Sequence, residues 1–100
     1  MSASLRARRK AEVLGGQLFK TYCDTSNRQE CKDKLARDFP FDELLRSLRE
    51  SYQFALFDRV LDLHILLKSN NAELTKFCMK VRAFYDCYCE WYDLKNKWVD

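Results

Sequence analysis

The residues of this 100-residue chain that could do chemistry are five cysteines, a single histidine and the pair Asp58 and Asp62. Cys87 and Cys89 form a C-x-C inside a strongly helical stretch. Two positions apart on a helix, their side chains diverge by about 160°, so they cannot grip one metal ion while the helix persists. There is no C-x-x-C pair, and His64 is the only histidine. No metal site is expected, and the thiols are expected in the core, where free cysteine is most often found. Cys87 falls off the aromatic face of its helix and is expected to be an exposed, modifiable thiol. His64 could pair with Cys78 or Cys31 as base and nucleophile. No glycine-bearing nucleophile turn or oxyanion loop accompanies them, and a lone histidine on an apolar helical face reads better as a core or boundary residue. Asp58 and Asp62, one turn apart, could hold a divalent ion, but the neighbouring Arg59 and the need for a solvated face account for them equally well. Neither G-x-x-x-x-G-K-[ST] nor G-x-G-x-x-G is present, and Gly15-Gly16 alone does not cradle a phosphate. A non-enzymatic protein with no cofactor is expected.

Charge carries more information than these candidates. Residues 1–40 hold nine Lys/Arg against five Asp/Glu, whereas residues 41–100 hold nine against ten. On a helix, Arg6, Arg9, Lys10, Gln17 and Lys20 fall on one face, with Val13 among them and Arg8 close by in sequence. Such a face can neutralise successive phosphates without reading sequence, and Gln17 can add a phosphate or ribose hydrogen bond. Arg28, Lys32, Lys34 and Arg37 extend the patch if the second helix packs beside the first. An overall pI of about 8.6 is modest for a dedicated nucleic-acid binder, and a merely solvated face is the simpler account of the same residues.

The elements that must position these residues follow from composition and spacing. Two glycines and one proline are too few for an all-β chain, and 47% hydrophobic content at a net charge of +3 is too apolar for a disordered one. A single all-α domain over residues 1–100 is expected, a compact bundle of four or five helices. The first helix starts at a cap on Ser2 or Ser4, runs towards Tyr22 and buries Ala7, Ala11, Leu14, Leu18 and Tyr22; its paired glycines imply a bend or a close helix–helix approach. The polar cluster 24–27 caps a second helix that ends near Asp38, with Cys31 and Leu35 inward and Pro40 as its stop.

From Phe41 the pattern looks continuous to Lys68, yet its apolar face changes direction. Phe41, Leu44, Leu45, Leu48 and Tyr52 share one side; Phe57, Val60, Leu61, His64 and Leu67 share another. Either the helix breaks within 51–53 or it is buried on two sides. Asn71 would cap a last helix whose broad face holds Leu74, Phe77, Cys78, Val81, Phe84, Tyr85, Tyr88, Trp91 and Tyr92, with Lys95 and Lys97 in its final turn.

Most of that aromatic face is expected to be core. Tyr88, Trp91, Tyr92 and the terminal Trp98 are in excess of what one subunit needs and are candidates for an interface, so homodimerisation could complete the bundle. No run of about 18 uncharged apolar residues occurs, so no membrane partner is expected. Free thiols favour a cytoplasmic or nuclear location. Three functional readings remain open. The favoured one is a basic helix on nucleic-acid backbone, duplex RNA being one example. The others are a protein–protein module using the aromatic last helix, and a mitochondrial assembly-type protein whose Arg-rich residues 1–10 are a presequence.

Overall fold

A computed structural model of the chain describes the backbone of residues 2–69 and 72–99 and the side chains of residues 5–69 and 72–92. Five helices follow in order: α1 (Ser2–Asp24), α2 (Arg28–Asp38), α3 (Phe41–Glu50), α4 (Phe54–Lys68) and α5 (Leu74–Val99). The expected all-helical bundle is what forms, 40 × 22 × 19 Å in extent, with one contiguous core to which every helix contributes. The cap expected at Asn71 and the side chains of Lys95, Lys97 and Trp98 lie outside the described residues.

Local signals set most of the boundaries. α1 is already helical at Ser2, so Ser4 lies inside the helix and not at its cap. Asn27 is in extended conformation, and its Oδ1 accepts from the amides of Gln29 at 3.0 Å and Glu30 at 3.1 Å, closing the start of α2. Phe39 before Pro40 is extended and ends that helix. At the end of α3 the Tyr52 amide donates to Arg49 O and the Gln53 amide to Leu48 O, the paired bonds of a Schellman turn. That turn resolves the two-faced stretch in favour of a break. Freed from α3, α4 buries Leu56, Val60 and Leu63; Leu61 sits to the side, so its inward face is rotated from the one expected.

The helix directions place the candidate residues. Gln17, Lys20 and Asp24 of α1 line one groove with Phe39 and Pro40, Lys10 pairs with Glu43, and Arg6 shares a second groove with Glu50. α1 and α3 are therefore antiparallel. Small buried residues, Ala7 and Ala11 on α1 and Ser47 on α3, permit close packing there. The Ser47 and Ser51 hydroxyls donate to carbonyls of their own turn at 2.8 and 2.7 Å, so neither is buried unpaired. α4 and α5 are likewise antiparallel: Asp62 pairs with Lys80, and Leu56 lines a groove with Cys87 and Trp91. The N-terminal part of α1, the 51–53 turn and the Trp91 region of α5 thus gather at one end of the molecule.

Candidate nucleic-acid interface

One side of α1 is committed to the core, with Leu18 fully buried and Leu14 nearly so. The opposite side leaves Arg6, Arg9, Gln17 and Lys20 exposed in a row. Arg6 and Lys20 are 14 residues apart, about 21 Å at 1.5 Å per residue. Among the described residues, Arg6, Arg9 and Lys20 have no ion-pair partner. Lys10 lies 3.6 Å from Glu43, an exposed pair of the kind that contributes little. Val13, 58% exposed, interrupts the row with an apolar surface.

The grooves on both sides of the row carry compensating acids. Glu43 and Glu50 line the one shared by α1 and α3, opposite Arg6, Lys10 and Arg46; Asp24 and Asp38 line the one shared by α1 and α2, opposite Lys20 and Lys34. The α1–α2 groove is thereby balanced, whereas the α1–α3 groove keeps one more cation than acid.

Three other basic candidates are withdrawn from the ridge. Arg8 lies seven residues from Gly15, on the side of α1 that meets α5; it is half-buried, and its Nε is enclosed without a hydrogen bond. The Arg28 guanidinium donates to the carbonyls of Tyr22 and Thr25 and lies 4.0 Å from the Tyr22 ring centroid. It thereby satisfies carbonyls that the end of α1 leaves open. Lys32 Nζ donates to Ala72 O at 2.7 Å, tying α2 to the segment before α5. Arg28 and Lys32 do belong to a helix beside α1, as the extended patch required, but their charged ends turn inward.

The aromatic candidates divide in the same way. Tyr88 lies against Gly15, its hydroxyl donates to Glu12 O at 2.9 Å, and its ring stacks on Phe84 at 5.7 Å. It is thus a helix–helix contact within the subunit. Burial pushes the Tyr88 hydroxyl pKa up, with the Glu12 carboxylate adding to it, so the group stays a donor. Trp91 is half-buried, and Tyr92 is 40% exposed. The larger exposed aromatics are Tyr52 and Phe54, at the α3–α4 turn. The sequence signal that would have found them is the break expected at 51–53, a place with no glycine to take the left-handed position of a helix end.

The candidates for chemistry are dispersed. Cys87 is half-buried against the core, because the rotation of α4 brings Leu56 beside it; the exposed cysteine is Cys23. Burial pushes the Cys31 and Cys87 thiols above the usual range, which keeps them protonated and poorly nucleophilic. Among the described residues no three His, Cys, Asp or Glu side chains converge as a metal site. Asp62 pairs with Lys80 at 3.5 Å. No described helix is long and apolar enough to cross a membrane.

His64 stacks on Phe41 at 4.7 Å, half-buried and 4.0 Å from Asp42. Burial, aided by Lys68 and opposed by Asp42, holds its pKa below the ordinary 6.5. The unfolded chain therefore binds the proton more readily than the folded one, so this site subtracts stability as pH falls through 6.5 and subtracts nothing above it. Thermal unfolding between pH 7 and pH 5 should fall less steeply for His64→Gln than for the wild type, and parallel profiles would refute the effect.

No protein-family model, curated protein or solved structure matches this chain.

Proposed function

We propose that this protein is a small non-enzymatic binding protein that holds nucleic-acid backbone along the ridge of α1. The observation that carries the reading is the row of Arg6, Arg9 and Lys20, exposed and without ion-pair partners among the described residues, on a helix whose other side is locked into the core. A rigid ridge with mobile cationic tips neutralises phosphates without base readout, and Gln17 offers an amide for phosphate or ribose. Ala7 and Ala11 are buried, which favours a retained helix over a cleaved presequence. Five free thiols suit a cytoplasmic or nuclear setting.

Three phosphate contacts give a slope of about −2.7 for log affinity against log salt on a duplex, a loss of about fortyfold between 50 and 200 mM. A filter-binding titration against RNA and DNA duplexes measures it. The combined Arg6→Gln, Arg9→Gln, Lys20→Gln variant should bind weakly, with a slope near zero and an unchanged melting temperature. No binding at low salt, or a variant that binds as tightly as the wild type, would sink the reading.

A protein-interaction role is the second reading, favoured by the exposed Ile65 and Met79, which border a groove between α4 and α5. A second copy of the chain is one partner for that surface, and sedimentation of the purified protein across a concentration series tests for it.

A further inference from the structure

The turn between α3 and α4 breaks two local rules at once. Tyr52 has φ 62°, the left-handed region that bulky side chains avoid and that glycine usually fills at a helix end. Its ring also gains little from burial: it is 73% exposed, and Phe54, two residues on, is 55% exposed. The two rings meet edge to face at 6.2 Å, a contact that steadies the Tyr52 ring without covering it. Backbone strain kept where no core contact offsets it points to a use for the side chain.

The position of the turn indicates that use. Because α1 and α3 are antiparallel, the C-terminal end of α3 lies beside Arg6, the first cation of the ridge. Glu50, two residues before Tyr52, lines the same groove as Arg6 and Arg46. A strand whose phosphates lie on the ridge would reach an open aromatic face at that end. Exposed aromatics beside a cationic track form the usual stacking surface for unpaired bases, whereas paired bases in a duplex keep their faces covered.

We propose that Tyr52, steadied by Phe54, is a stacking platform for an unpaired base of a nucleic acid held on the α1 ridge. This rests on the nucleic-acid reading above and adds to it a preference for strands that offer an unpaired base over a blunt duplex.

The test uses the full chain with a short fluorescein-labelled single-stranded RNA and a blunt RNA duplex of the same sequence, read by anisotropy. Tyr52→Gly removes the ring and relieves the backbone. It should melt several degrees higher than the wild type yet bind the single strand about tenfold more weakly, with duplex binding unchanged within about twofold. Tyr52→Asn, which tolerates the left-handed position without a ring, should behave likewise, and Tyr52→Phe should bind as the wild type does. Single-strand binding unaffected in Tyr52→Gly and Tyr52→Asn overturns the platform, as does an equal loss on both RNAs. If those variants are silent while the Arg6, Arg9, Lys20 triple variant is impaired, the ridge stands and the platform falls. A wild-type protein that binds neither RNA overturns both.

Discussion

Gly15→Ala should lower the melting temperature of this protein, and Gly16→Ala, one residue further on, should raise it. Both substitutions gain about 1 kcal/mol of helix propensity within α1. At Gly16 the new methyl would meet only the Tyr88 hydroxyl oxygen at 3.5 Å, an ordinary contact, so the gain is kept and melting rises by about 4–8 °C. At Gly15 it would stand 2.8 Å from Tyr88 Cε1 and 3.0 Å from Cδ1. The ring cannot easily step aside, because its hydroxyl is held by Glu12 O and its face by Phe84, itself 3.5 Å from the new methyl. Overpacking of this kind costs about 1–3 kcal/mol and outweighs the propensity gain. Tyr88→Leu should rescue Gly15→Ala in a double-mutant cycle. If both glycine variants shift in the same direction, the close approach of α1 and α5 at Gly15 is wrong.

Phe77→Ala should remove about 3–5 kcal/mol of stability, whereas Phe54→Ala should cost about 1 kcal/mol or less. Phe77 is fully buried, and its ring lies 6.0 Å from that of Tyr22, over which the Arg28 guanidinium sits at 4.0 Å. Its removal opens a cavity where α5 meets α1. Against a total of about 5–15 kcal/mol for a domain of this kind, the loss should lower melting by at least about 12 °C. Phe54 is 55% exposed, so less than half of its apolar area is withdrawn from water and its truncation forfeits correspondingly less. Chemical denaturation of the two variants separates them, and equal losses would contradict the burial described.

The bundle was legible where a signal is local. Helical spacing picked out Ala7, Ala11, Leu14, Leu18 and Tyr22 as the inward side of α1; the first four are buried and Tyr22 is half-buried. The polar cluster 24–27, Pro40 and the change of face near residue 52 marked ends that depend on a cap, a fixed φ or a periodicity, and the structure selected Asn27 from that cluster. The outward row of Arg6, Arg9, Gln17 and Lys20 was legible for the same reason, since one helix carries all of it. Arg8, Arg28, Lys32 and Tyr88 were less so, because where each of their side chains ends depends on a neighbouring element. Arg28 and Lys32 meet carbonyls of other segments, and Tyr88 meets a glycine 73 residues earlier. Cys87 was misplaced because its exposure depends on how α4 is turned, and that rotation is free once α3 ends.

Taken alone, the sequence determined that this chain is helical, roughly where its helices start and stop, and that one helix carries a basic side opposite an apolar one. These are properties of periods and caps within about a turn of chain. The tertiary structure decided which cations remain free, by pairing Lys10 with Glu43 and engaging Arg28 and Lys32 internally. It decided between a bend and a close contact at Gly15. It also brought Tyr52 and Phe54 to the Arg6 end of the ridge, because the antiparallel order of α1 and α3 arises from packing between segments far apart in the chain.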